Sequence, residues 1–188
     1  LEGAATVNEA LFLNSVEILS LAFLLTIERG YNPSVINNLA IPGNRADDHA
    51  EDPEVHVVHL DKPRRGPAAR YSDENLTGAA STLISRAIRS SAQARATVAA
   101  LGATTDSLIL FRAGNAHQGR GSALFRTRLP QMQHPSKVWH ERAAVLGDDG
   151  LPLRVTFQRL RLTEQVLNKT PRQNSATVSE SLYRQPDP

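Results

Sequence analysis

An amphipathic pattern near the end of the chain constrains the fold more than any other stretch. Between Val155 and Asn168 the apolar positions recur at helical spacing, and they are Phe157, Leu160 and Leu167, with Leu162 and Val166 beside them. Residues three, four or seven apart share one side of a helix, so we expect a helix that packs against a core. Gly150 and Pro152 precede it, and Pro171 ends it because proline has no backbone N–H to donate.

A second short helix is expected after this one. Thr177 and Glu180 have the spacing of a capping box, in which two side chains bond the free N–H groups of a first helical turn. The predicted helix carries Leu182 and Tyr183. It therefore places a single tyrosine close to the end of the chain.

The arginine-rich helix carries a resemblance to a known family. Its run Gln158-Arg-Leu-Arg161-Leu-Thr163 resembles the second catalytic box of the tyrosine recombinases, or phage integrases, which reads histidine, any residue, leucine, arginine, any residue, threonine. Arg161 falls on the catalytic arginine and Gln158 stands in the place of the histidine. Asn174 falls on the position nine residues before the nucleophile, where the family has histidine or tryptophan, and Tyr183 falls on the nucleophile.

Two upstream stretches are similar to other parts of the same family, in the same order. Gly30-Tyr-Asn-Pro-Ser-Val-Ile-Asn-Asn-Leu39 resembles the first box, and it keeps the glycine, the serine and the final leucine. Asn32 takes the position of the first catalytic arginine. The strand-like run from Val55 to Lys62, followed by Pro63-Arg-Arg-Gly66, is similar to the hairpin that delivers the active-site lysine, which is Lys62 here.

The resemblance implies a fold, a partner and a reaction. The fold is mainly α-helical with a small antiparallel β-sheet (α+β), and the partner is double-stranded DNA on which the chain self-associates. The reaction is cleavage and rejoining of strands through a covalent 3′-phosphotyrosine. The implied catalytic residues are Tyr183 as nucleophile, Arg161 as phosphate clamp, Lys62 as acid, and Gln158, Asn174 and Asn32 in weakened supporting positions. The implied DNA contacts are Arg64, Arg65, Arg159 and Arg172.

The substitutions within these boxes leave alternatives open. An asparagine at position 32 donates one neutral hydrogen bond but brings no charge, and losing one preorganised donor to a transition-state oxyanion costs about 3 kcal/mol. Arg29, Arg159 or Arg172 would then have to compensate. The first alternative is a DNA-binding protein without catalysis. The second is a helical protein-interaction module, and the basic tip of the hairpin is equally compatible with a solvated turn.

Composition sets the remaining limits. The 188 residues carry 21 lysines and arginines against 19 acids, and five of those acids crowd the loop at 41–54, so a positive face elsewhere is compatible with DNA binding. Cysteine is absent, which is compatible with the cytoplasm and leaves no thiolate metal site. No cofactor, metal or membrane partner is expected. The chain is predicted to be one domain over 1–188, with the possibility that it is a fragment lacking an upstream DNA-clamping domain.

Further elements follow from local patterns. The apolar stretch from Asn8 to Ile27 is expected to be a buried helix that Gly30 ends, since its unbroken apolar run is shorter than the about 20 residues that cross a bilayer. Ser72 or Asp73 is expected to cap a long helix that reaches Leu101. The glycine-rich segment at 113–122 lacks the lysine and serine of a nucleotide-binding loop and is expected to be a surface loop.

Overall fold

The computed structural model describes residues 11–42, 55–62, 70–112, 124–130 and 133–168. Over these ranges the chain combines five helices with two small antiparallel sheets, so it is an α+β protein as expected. The helices are α1 (Ser15–Arg29), α2 (Pro33–Asn37), α3 (Gly78–Ala100), α4 (Gln133–Ala143) and α5 (Phe157–Asn168). The strands are β1 (His56–Asp61), β2 (Tyr71–Leu76), β3 (Phe111–Arg112) and β4 (Phe125–Arg126).

Helix α1 is the central element, and α3, α4 and α5 pack around it. Its start is fixed by a capping box, in which the Asn14 side chain accepts from the N–H groups of Val16 and Glu17 while the Glu17 carboxylate accepts from the Asn14 N–H. Caps of this kind satisfy N–H groups that have no partner inside the helix. The helix ends at Gly30, as predicted.

The core around α1 is apolar and contains an aromatic cluster. Ile18, Leu19 and Leu25 are buried, and the Phe23 ring lies 4.8 Å, centroid to centroid, from both Trp139 on α4 and Phe157 on α5. Burial of such rings stabilises the fold by removing large apolar surfaces from water. These contacts hold the three helices in fixed relative positions.

Strands β1 and β2 form the larger hairpin, and here one expectation is wrong. The register pairs Val58 with Glu74 and Asp61 with Tyr71, so residues 71–76 are a strand and Ser72 and Asp73 do not cap a helix. Helix α3 instead follows Thr77 and continues without a break to Ala100. Pairing with β1 supplies backbone hydrogen bonds that the local capping pattern did not anticipate.

The buried side of α5 also differs from the expectation. Phe157 is buried as predicted, but Leu162, Val166 and Leu167 are exposed, and Leu167 keeps 73% of its surface. The second half of the helix buries Glu164 instead, at 6% exposure. The apolar pattern correctly predicted a helix, but the side of the helix that faces α1 is set by the contacts around Gly30.

Within the described ranges, no helix is both long enough and apolar enough to cross a membrane. The predicted helix at residues 177–183, residues 43–54 of the acidic loop predicted at 41–54, and the glycine-rich loop predicted at 113–122 lie outside the described residues.

Candidate functional site

The turn after α1 brings three distant parts of the chain together. Gly30 adopts the left-handed conformation, with φ 65° and ψ 18°, which glycine reaches without steric penalty. Its N–H donates to the Thr26 carbonyl at 2.8 Å and so closes the helix. Its own carbonyl accepts from the Nε of Arg161 on α5, at 3.2 Å. Arg161, in the stretch that resembles the second box, thus contacts the stretch that resembles the first box directly.

The carboxylate of Glu164, on α5, lies against the same turn and explains why a glycine fits there. A Cβ atom at position 30 would lie 2.8 Å from the Oε2 atom of Glu164, closer than real Cβ atoms approach. Glu164 is three residues after Arg161, so both side chains extend from the same side of α5. Gly30 therefore permits both the backbone conformation and the close approach of a buried carboxylate.

Glu74 on β2 binds the other side of the turn. Its Oε1 accepts from the Arg29 guanidinium, and its Oε2 accepts from the Tyr31 hydroxyl at 2.9 Å. The Arg29 and Glu74 side chains keep 22% and 23% of their surface, so the pair is largely shielded from solvent. We call the residues around Gly30 the Gly30 cluster: Arg29, Tyr31, Glu74, Arg161 and Glu164.

Tyr31 acts in this cluster as a hydrogen-bond donor. Burial of its ring, together with the neighbouring Glu74 carboxylate, raises the pKa of Tyr31 well above its ordinary value. Burial disfavours the charged phenolate, and a nearby negative charge disfavours it further. The Tyr31 hydroxyl is therefore protonated throughout the neutral pH range.

Lys62 lies directly after β1 and on the same side of the hairpin as Glu74. Its Nζ donates to the Ser72 hydroxyl at 3.2 Å, and its N–H donates to the Arg70 carbonyl at 2.7 Å. Ser72 and Glu74 are two residues apart on β2, and alternate residues of a strand face the same side. The contact of Glu74 with Arg29 and Tyr31 thus ties the side of the hairpin that carries Lys62 to the turn at Gly30.

Asn32 has a structural role in this turn. Its Oδ1 accepts from the Val35 N–H at 3.0 Å and from the Ser34 hydroxyl at 2.6 Å, so the side chain caps α2. Pro33 occupies the first position of that helix, where its missing N–H does no harm. Asn32, which the resemblance aligns with the first catalytic arginine, therefore contributes a helix cap and no charge.

The remaining predicted residues divide into two groups. Gln158 and Arg159 are exposed in the first turn of α5, and the Arg159 guanidinium donates to the Arg154 carbonyl at 3.2 Å. The others lie outside the described residues, and they are Arg64, Arg65, Arg172, Asn174 and Tyr183. The structure therefore places Arg161 and Asn32 at one turn of the chain, whereas Lys62 lies farther along the hairpin that Glu74 joins to this turn.

Three members of the Gly30 cluster were not predicted from the sequence. Tyr31 lies inside the stretch that resembles the first box, at a position that the box does not specify, and Glu164 directly follows the stretch that resembles the second box. Glu74 was assigned to the start of a helix. In the structure half-buried Ser72 and Glu74 alternate with exposed Tyr71, Asp73 and Asn75, but residues 72–75 are all polar, so the sequence has no apolar alternation that would indicate a strand.

Metal binding has no support in the part of the chain that the structure describes. No group of three or more histidine, aspartate or glutamate side chains there has the geometry to hold a metal ion. His56 contacts the Ser85 hydroxyl at 2.7 Å, whereas His59 contacts Asp73 at 2.6 Å. The two histidines of β1 thus have separate partners.

Comparison with known proteins adds no further assignment. No protein-family model matches the chain, and neither the curated proteins nor the solved structures contain a significant match. The functional inference therefore rests on the residues themselves.

Proposed function

We propose that this chain binds double-stranded DNA and cleaves and rejoins its strands through a covalent phosphotyrosine, in the manner of a tyrosine recombinase. The observation that carries the proposal is the contact between Arg161 and the Gly30 carbonyl. It joins the two stretches that most resemble catalytic boxes, although they are separated by 131 positions. Glu74 ties the hairpin that bears Lys62 to the same turn.

The guanidinium of Arg161 suits a phosphate clamp. Its Nε contact with Gly30 fixes the plane of the group, and the two terminal nitrogens carry four further N–H donors. An arginine held in this way binds phosphate oxygens with two parallel hydrogen bonds. Fixed donors stabilise the charge that develops on the phosphoryl oxygens because they need no reorganisation during the reaction.

In the proposed step, the phenol oxygen of Tyr183 forms a bond to phosphorus while the bond from phosphorus to the 5′ oxygen breaks. The phenol proton passes to water, and Lys62 donates a proton to the departing 5′ oxygen. Rejoining reverses both transfers, with the 5′ hydroxyl attacking the phosphotyrosine. The exchange conserves the number of phosphate ester bonds and requires no oxidant, cofactor or nucleotide.

A trapping experiment tests this proposal. The full chain is incubated with nicked duplexes of randomised sequence, and protein that remains on DNA in denaturing gels is measured. We expect a covalent adduct that Tyr183→Phe abolishes and that Arg161→Ala reduces by about a hundredfold or more. Tyr71→Phe is the matched control, because Tyr71 is an exposed tyrosine on the hairpin, and this variant should retain the adduct. Absence of an adduct across the whole randomised pool would reject the catalytic proposal.

A second candidate is DNA binding without catalysis, and the role of Asn32 favours it. The side-chain oxygen of Asn32 caps α2, and the residue brings no positive charge to the turn. A protein of this kind would shift duplex DNA in a salt-dependent manner and leave no adduct. The two candidates share the DNA-binding surface and differ only in the chemistry at Tyr183.

A further inference from the structure

The first box must obtain its positive charge from a residue other than Asn32 if it contacts a phosphate. The Asn32 oxygen is engaged by Val35 and Ser34, and an amide carries no charge. Arg29 lies three residues earlier, at the end of α1 and next to Gly30. Its position therefore places a guanidinium at the turn that Arg161 contacts.

The contacts of Glu74 indicate where an anion would bind at this turn. A guanidinium and a phenol hydroxyl converge on its two carboxylate oxygens, one donor on each oxygen. The same two donors suit the oxygens of a phosphate, because arginine binds carboxylates and phosphates with one geometry. Tyr31 keeps its proton at neutral pH and so remains available as a donor to either anion. The Glu74 carboxylate thus marks an oxyanion position.

We propose that Arg29 is the second phosphate-binding arginine of this site, and that the Glu74 carboxylate occupies its anion position until a DNA phosphate replaces it. This inference rests on the DNA-binding part of the proposed function and is independent of catalysis at Tyr183. Glu74 acts here as a competitor built into the chain, so it lowers the affinity for DNA. If Glu74 only tethered the hairpin to α1, removing its charge would leave that affinity unchanged or weaken it.

The test compares the salt dependence of binding to a short duplex of mixed sequence. Replacing the carboxylate in Glu74→Gln is expected to tighten binding by about tenfold, the size of one charged hydrogen bond. Arg29→Gln is expected to weaken binding and to lower the slope of log affinity against log salt by about one, the contribution of one phosphate contact. The double variant Arg29→Gln/Glu74→Gln should not show the gain in affinity, because the Glu74 carboxylate competes with a phosphate only while Arg29 is present.

Asp73→Asn is the matched control for charge. Asp73 is the neighbour of Glu74 on β2 and lies on the opposite, exposed side of the strand. Its substitution by asparagine removes the same negative charge as Glu74→Gln. Equal gains from Asp73→Asn and Glu74→Gln would reveal a general electrostatic effect and would overturn the inference. Circular dichroism and thermal melts report whether each variant folds. If Glu74→Gln does not fold, Arg29→Gln alone decides, and an unchanged affinity and salt slope in that variant would overturn the inference.

Failure of the inference and failure of the proposed function are distinguishable. Wild-type binding to the duplex without a gain in Glu74→Gln overturns the inference and leaves the proposed function intact. If no variant binds duplex at low salt, the proposed function fails. A titration with inorganic phosphate, followed by the amide signals of Gly30 and Tyr31, then decides whether the turn binds a phosphate in place of the Glu74 carboxylate. Phosphate-dependent shifts in Glu74→Gln that disappear in the double variant support it, and their absence rejects it.

Discussion

The Gly30 cluster and the carboxyl end of α3 both contain shielded arginines, but the partners of those arginines differ in kind. Arg95 on α3 donates to the main-chain carbonyls of Ser107 and Leu108, at 2.7 and 3.3 Å, and to that of Thr105 at 3.3 Å. Its guanidinium also reaches the Ser91 hydroxyl at 3.2 Å. In the Gly30 cluster, Arg29 instead binds the side-chain carboxylate of Glu74.

This difference separates a structural arginine from one that suits a ligand. Carbonyls of the 105–108 segment are fixed by the backbone, so Arg95 cannot exchange them for a phosphate without disturbing the fold. Burial also lowers the pKa of Arg95, because a charged group loses its hydration there. A glutamate side chain can rotate away and leave its position to another anion. The partner of an arginine is thus more informative about function than the burial of the arginine.

The largest expected effect is on stability, at Arg95. Arg95→Ala leaves several carbonyls without their donor, and each unsatisfied buried group costs about 1–3 kcal/mol, so we expect a loss of about 4 kcal/mol. Urea unfolding measures the free energy, and Arg89→Ala, an exposed arginine on the same helix, is the control with a change within about 0.5 kcal/mol. At temperatures where Arg95→Ala stays folded, its salt slope for DNA should equal that of the wild type. A reduced slope would mean that Arg95 also contributes to phosphate binding, and the two regions would then not differ in function.

The next effect in size is at Gly30. Gly30→Ala places a side chain in the left-handed conformation and pushes Glu164 out of its buried position, so we expect a loss of about 2 kcal/mol. Gly78→Ala is the matched control, because Gly78 has φ 59° and no atom within 4 Å of the added Cβ, and it should cost about 1 kcal/mol. Thermal unfolding of both variants gives the comparison. Equal losses would show that the contact with Glu164 contributes nothing to stability.

The smallest effect concerns Tyr31 and depends on pH. Tyr31→Phe removes one hydrogen bond to Glu74 and should cost about 1 kcal/mol at neutral pH. Because the folded state raises the pKa of Tyr31, its contribution is complete below the ordinary tyrosine pKa of about 10 and is lost as the pH rises above it. The variant should therefore lose less stability than the wild type between neutral and alkaline pH. Tyr71→Phe, at an exposed position, should keep the wild-type profile, and a profile of Tyr31→Phe that also matches the wild type would exclude this role.

Local chemistry made several elements of the fold predictable. Gly30 ends α1 because glycine adopts the left-handed conformation, and Asn32-Pro33 begins α2 because asparagine caps a helix whose first position suits proline. Both effects depend only on residues a few positions away. The strand at His56–Asp61 follows from its β-branched residues. Strand β2 was not predictable in this way, since Ser72 and Asp73 are equally suited to capping a helix and only β1 decides between the two.

The sequence by itself determined that the chain turns at Gly30, that an amphipathic helix carries Arg161, and that a strand leads to Lys62. The tertiary structure decided that Arg29, Tyr31 and Glu74 meet, and that α5 buries Glu164 while Leu167 is exposed. The physical reason is distance along the chain. The contacts at Gly30 join residues 43 to 131 positions apart, so no local pattern of polarity or propensity specifies them. They form only when the packing of α5 and the hairpin against α1 brings these charges to one turn.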